Sequence, residues 1–171
     1  MDVCKPMYPT LKHDGLLAFE MSPREVNAVL ASARTLQRAA QTGTTQPLLR
    51  GKNLGLLCEA DDDDAALFRR AALELGAQVA HIRPSLSKLS TPRDVQHTAR
   101  VLGRLYDAVE CQGAPLALVQ QLGNDAGVPV YDGLASQDHP TAYLADLLGG
   151  DTSAADNRRF VLQAVLLSTL A

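Results

Sequence analysis

The chain has 171 residues, 46% of them hydrophobic, with 16 Lys and Arg against 19 Asp and Glu and a formal net charge of −3. That length fits one domain, the apolar share excludes a disordered chain, and the mild acidity argues against a general nucleic-acid binder, which needs a basic stripe. No apolar run approaches the roughly 20 residues of a membrane-spanning helix, and Met1 to Thr10 lacks the apolar core of a secretory leader.

The first 20 or so residues show no clear period and read as an arm with one docking segment, Leu16 to Phe19. Ser22-Pro23-Arg24-Glu25 is a capping box with proline at the first helical position. Val26, Val29, Leu30, Ala33 and Leu36 then recur at helical spacing, and the helix fades before Gly43. After Gly51 short apolar runs alternate with helices. Strands are expected at Asn53 to Cys58, Gln78 to Ile82, Ala108 to Cys111 and Val128 to Tyr131. Helices are expected at Ala65 to Leu75, stopped by Gly76, and from Pro92 to about Tyr106, capped by Thr91. Further helices are expected from Pro115 to about Asn124 and from Thr141 to Leu148. A last helix, Ala154 to Leu170, offers Phe160, Leu162, Val165, Leu166 and Leu170 for one apolar face.

This alternation means an α/β fold, a three-layer doubly wound parallel sheet of about four strands. Ligands in such sheets bind beyond the carboxyl ends of the strands. The loops of interest are therefore 59–64, 83–90, 112–114 and 132–140.

Those loops sit among ordered motifs: Leu49-Arg50-Gly51-Lys52-Asn53-Leu54, Thr98-Ala99-Arg100-Val101-Leu102 with Asp107-Ala108, and Ala126-Gly127-Val128-Pro129-Val130 with Gly133-Leu134. The most specific is His139-Pro140-Thr141 followed by Leu144-Ala145-Asp146-Leu147-Leu148. Together they resemble the carbamoyl-phosphate-binding domain of the aspartate/ornithine carbamoyltransferases, from about Leu16 to Leu148. Asp156-Asn157-Arg158-Arg159 leading into Gln163-Ala164-Val165-Leu166 resembles that family's final helix, which returns from a second, amino-acid-binding domain. The resemblance implies one domain over residues 1–171. Its core is 16–148, residues 149–155 stand in place of the second domain, and 156–170 form the closing helix.

The resemblance also implies a chemistry, and the residues depart from it. The family holds phosphate in a Ser-Thr-Arg-Thr-Arg loop that opens a helix; counted back from Phe68, that loop falls on Asp61-Asp62-Asp63-Asp64-Ala65. The arginine that polarises the carbamoyl carbonyl is replaced by Gln112. In the His-Pro-x-Gln group, His139, Pro140 and Thr141 persist, and Ala142 replaces the glutamine. A charge pair at 4 Å is worth roughly 1 kcal/mol in water and roughly 4 at an effective dielectric near 20. Exchanging several attractive contacts for repulsive ones therefore excludes carbamoyl-phosphate binding in the family's mode, leaving His139 and Gln112 as remnants.

Each candidate has a plain reading and a sharper one. Asp61 to Asp64 suit a helix N-terminus through capping and the dipole; alternatively they hold a cation or cationic metabolite, or dock a partner. His139 is either a pocket residue or a helix-start residue bonded to its loop. Ser85, Ser87, Lys88 and Ser90 lie in a polar loop that reaches a neighbouring subunit in the family. Arg100 and Arg104, at i, i+4, are read as surface ion-pairing residues. His13, His81 and His97 are too scattered for a metal site. Cys4, Cys58 and Cys111 are odd in number and widely spaced, so a reducing, cytoplasmic setting is expected, with no disulfide framework, no metal and no cofactor. Cys58 and Cys111 are read as packed strand residues, with Cys111 the better nucleophile candidate. Three functions are held open: an inactive carbamoyltransferase-like protein acting by binding an unknown small ligand or by assembly, as a homo-trimer or with a full-length carbamoyltransferase; a residual or altered transferase completed by another chain; and a cation-binding module built on the acidic loop.

Overall fold

The computed structural model describes residues 21–84 and 90–171. The segment Leu16 to Phe19 and the loop residues Ser85, Ser87 and Lys88 lie outside them. Helix α1 spans Pro23–Thr42 and β1 Asn53–Leu57. They are followed by α2 Asp63–Glu74, β2 Gln78–Ile82, α3 Pro92–Leu105 and β3 Ala108–Cys111. The chain continues through α4 Leu116–Ala126, β4 Val130–Asp132, α5 Leu144–Leu148 and α6 Ala154–Leu170.

The local reasons are those of the side chains. Ser22 accepts from the Glu25 N–H while Glu25 reaches back to the Ser22 N–H, and Thr91 and Asp94 repeat this box at α3. Gly43 closes α1 at φ 67°, in the left-handed region that glycine enters at least cost. The four strands pair in parallel in the order β2-β1-β3-β4, with Leu54 opposite Val79 on one side and Ala108 on the other. The chain runs from β1 outward to β2, then returns past β1 to β3, so the switch point lies between β1 and β3.

One face of the sheet packs on α1, α2, α5 and α6, and the other on α3 and α4. Helices α3 and α4 approach closely at Gly103, where an added Cβ would lie 1.8 Å from the Ala126 carbonyl oxygen.

Several features differ from the sequence reading. Helix α2 starts at Asp63 instead of Ala65, because the Asp62 carboxylate caps the Ala65 N–H at 2.9 Å. Strand β4 begins at Val130; Pro129 has no N–H for the ladder and contributes only its carbonyl, to the Val109 N–H. Helix α5 begins at Leu144, since residues 141–143 are held in a turn where the Ala142 N–H meets the His139 carbonyl at 2.8 Å. Helix α6 has no single apolar face: every residue from Asn157 to Leu167 is buried, between α1, α2 and α5. Among the described residues no helix is long and apolar enough to cross a membrane.

Candidate functional site

The carboxyl ends of β1 and β3, the N-terminus of α2, the loop 133–141 and the first turns of α6 meet at the switch point. The four aspartates enter this region with separate duties. Asp61 pairs with Arg69 at 3.0 Å, Asp62 caps α2, and Asp63 is exposed in the first turn. Asp64 alone turns inward. Burial and the neighbouring Asp62 raise its carboxyl above the usual range, with Arg158 pulling the other way. Among the described residues no group of three His, Cys, Asp or Glu side chains is placed to share a metal ion.

The loop 133–141 is held from two sides. From β3, the Glu110 carboxyl accepts the Leu134 N–H at 3.0 Å, and the N–H groups of Gly133 and Ala135 also face it. From α6, the Arg158 guanidinium donates to the Leu134 carbonyl and, at 3.3 Å, to the Ser136 carbonyl. Glu110 is fully buried and Arg158 nearly so. Burial pushes the Glu110 carboxyl up to about 8, against the pull of the three N–H groups, and Asp132 adds to the rise. The same burial lowers the Arg158 guanidinium below its ordinary value.

His139 Nδ1 lies 2.8 Å from the Thr141 hydroxyl and accepts the Thr141 N–H at 3.2 Å. Burial first, and the Arg158 charge second, lower its imidazole to about 4, so it is neutral at pH 7. Thr141 is buried beneath it and Pro140 exposed. Gln112 bonds β1 through its N–H to the Leu57 carbonyl at 2.9 Å, while both polar atoms of its side-chain amide are buried without a partner among the described residues. Asp64 and His139 thus both feel the charge of one guanidinium, Arg158, while Asp61, Asp62 and Asp63 lie exposed on the rim.

The remaining candidates take plain roles. Cys58 and Cys111 are buried and free, and burial raises both thiols, which keeps them protonated and unreactive at neutral pH. His81 Nε2 lies 2.9 Å from the Cys58 carbonyl, and His97 is exposed. Among the described residues Arg100 and Arg104 are exposed and enter no ion pair, contrary to the expectation of surface pairing.

Residues 15–149 match the family described as aspartate/ornithine carbamoyltransferase, carbamoyl-P binding domain. The chain belongs to the aspartate/ornithine carbamoyltransferase family. Over 126 residues it is 43% identical to an ornithine carbamoyltransferase of Haemophilus influenzae, a match that covers 73% of this chain and 38% of that relative. The ornithine carbamoyltransferase of Pyrococcus furiosus superposes with a TM-score of 0.63 at 28% identity, over 73% of this chain and 40% of the other. The aspartate transcarbamoylase of Trypanosoma cruzi shares the fold, with a TM-score of 0.59 at 21% identity over 75% of this chain and 41% of that one. The chain thus spans well under half the length of these carbamoyltransferases.

Two residues at the centre of the carbamoyltransferase-like site, Glu110 and Arg158, were not singled out by sequence reasoning. Both carried a signal. Strands of a parallel sheet buried on both faces read as nearly continuous apolar runs, and Ala-Val-Glu-Cys breaks that run with an acid. Charged residues are seldom fully buried without a partner, so an arginine pair inside the closing helix was the second clue.

Proposed function

We propose that this chain is a carbamoyltransferase-like domain that does not take carbamoyl phosphate in the family's manner and acts by binding or assembly. The observation that carries this reading is the start of α2. Where the family pattern places a phosphate on free helix N–H groups with arginines around it, the Asp62 carboxylate already occupies the Ala65 N–H, and Asp61, Asp63 and Asp64 surround it. A phosphate dianion there must displace one carboxylate and face three more. Of the cations here, Arg69 is paired with Asp61, and Arg158 is engaged with the Leu134 and Ser136 carbonyls.

Residues 149–155 stand, in this reading, where the amino-acid-binding domain would be. The turn is tied to α1: the Gln37 side-chain NH2 lies within hydrogen-bond reach of the Gly149 carbonyl at 3.0 Å, the Thr152 hydroxyl at 2.6 Å and Asn157 Oδ1 at 3.1 Å. The partner is a second and third copy of the chain or a full-length carbamoyltransferase. The two free buried thiols suit a reducing, cytoplasmic setting.

Calorimetric titration with carbamoyl phosphate tests the central claim. No binding is expected at millimolar ligand; a Kd tighter than about 1 mM overturns the reading. Light scattering after size exclusion tests the assembly arm. A mass three times the 18.3 kDa of one chain, or co-elution with a full-length carbamoyltransferase, is expected. A monomer under both conditions overturns it.

A further inference from the structure

The loop 133–139 is gripped through one residue by two groups of opposite character. The Leu134 N–H faces the Glu110 carboxyl and the Leu134 carbonyl faces the Arg158 guanidinium. Each group has polar atoms left over: among the described residues, Glu110 Oε2, and Arg158 Nε and Nη1, are buried without hydrogen-bond partners. Buried polar atoms are rarely left unmatched, and here the unmatched donors and the unmatched acceptor belong to the two groups that hold the carbonyl and the N–H of one residue, Leu134.

We propose that Glu110 and Arg158 form a two-position latch on this loop: Arg158 holds the loop carbonyls while the Glu110 carboxyl is neutral, and turns to the carboxylate when it ionises. In the second position a charge-assisted pair satisfies Glu110 Oε2 and the spare Arg158 nitrogens at once. The Leu134 carbonyl then loses its donor, the Ser136 carbonyl keeps only the His139 N–H at 3.1 Å, and the segment that leads to His139 is released at its Leu134 end. Gly133, at φ 63°, supplies the pivot, in a backbone region where only glycine is unstrained.

The groups around the latch agree with this sense. On β4, Asp132 opposes ionisation of Glu110, and the Tyr131 phenol is kept protonated by burial and bonded to the Thr169 hydroxyl. Cys58 beyond β1 and Cys111 beside Glu110 are neutral thiols. From α6 comes Arg158, which also feels Asp64 on α2; from the loop comes His139, which is neutral. Arg158 is thus the cation that an ionised Glu110 meets, and the carboxyl, pushed up to about 8, changes state just above neutral pH. The latch concerns the loop and no ligand, so it stands or falls independently of carbamoyl-phosphate binding.

Nuclear magnetic resonance on the full, isotope-labelled chain between about pH 6 and 9.5 tests it. The Gly133, Leu134, Ala135 and Ser136 amides and the Arg158 Nε–H are expected to shift in one transition near pH 8, coincident with the Glu110 carboxyl carbon. Glu110→Gln is expected to leave these signals flat. Loop amides that stay flat while the carboxyl titrates overturn the latch. So does a loop transition that persists in Glu110→Gln, or a carboxyl that does not titrate in this range. If Glu110→Gln fails to fold, the coincidence of the carboxyl and Arg158 midpoints in the unaltered chain decides alone.

Discussion

Helices α3 and α6 lie on opposite faces of the same sheet and are built on opposite plans. Helix α3 is amphipathic: Val95, Ala99 and Leu102 are buried on one side, and Arg93, His97, Arg100 and Arg104 face solvent on the other. Helix α6 is buried from Asn157 to Leu167 whatever the side-chain polarity. Its polar groups must therefore find partners inside the protein. Gln163 reaches the Ala71 carbonyl at 3.2 Å and Glu74 at 3.0 Å, and Arg159 pairs with Glu74 at 2.8 Å. Arg158 holds the candidate-site loop. A helix with one wet face can be altered there at little cost, whereas one enclosed on all sides ties stability and site together.

Four substitutions or conditions separate the two plans. Phe160→Ala removes a buried ring of α6 and is expected to cost about 3–5 kcal/mol of unfolding free energy in urea titration. A loss under about 1 kcal/mol would show that α6 is not the core helix described. On the α3 side a sensitivity of a different kind is expected at Gly103, where a side chain is added and none removed. Gly103→Ala drives a methyl group into the Ala126 carbonyl and should cost about 1–3 kcal/mol, read by the same titration.

The pH profile is the third. Glu110 has its folded value raised from 4.5 to about 8, so its contribution is fully present below 4.5 and is lost as pH rises toward 8. His139 has its folded value lowered from 6.5 to about 4, so stability falls as pH drops through that range. Between 4.5 and 6.5 the two slopes oppose each other, and above 6.5 only the Glu110 slope remains. A plateau is expected, then a decline of about 2 kcal/mol from pH 6.5 to 8. Glu110→Gln should flatten that decline, and an undiminished decline in the variant would remove Glu110 from the account. The smallest effect is expected at Leu105→Ala on α3, where the side chain is 60% exposed: a change within about 0.5 kcal/mol.

Much of the fold was readable in advance because its signals are local. The capping boxes at Ser22 and Thr91 set the starts of α1 and α3, and the runs Gln78 to Ile82 and Ala108 to Cys111 became β2 and β3 without adjustment. The ordered motifs around His139-Pro140-Thr141 marked the carbamoyltransferase family, because they are short segments whose order survives in the chain. Less of the site was readable. The four aspartates look equivalent on paper, yet Asp62 caps, Asp61 pairs with Arg69 and Asp64 turns inward, a division set by where α2 starts.

What the sequence determined by itself was the alternation of strands and helices, their caps and the family, all of which depend on neighbours within a few residues. What only the tertiary structure decided was the enclosure of α6 and the meeting of Glu110 with Arg158 across one loop. Those two residues lie 48 positions apart, on different elements, and neither element's periodicity reports the other. Burial on every side is a property of the assembled layers, and it is that burial which raises the Glu110 carboxyl and lowers the Arg158 guanidinium from their ordinary values, the latter still a cation.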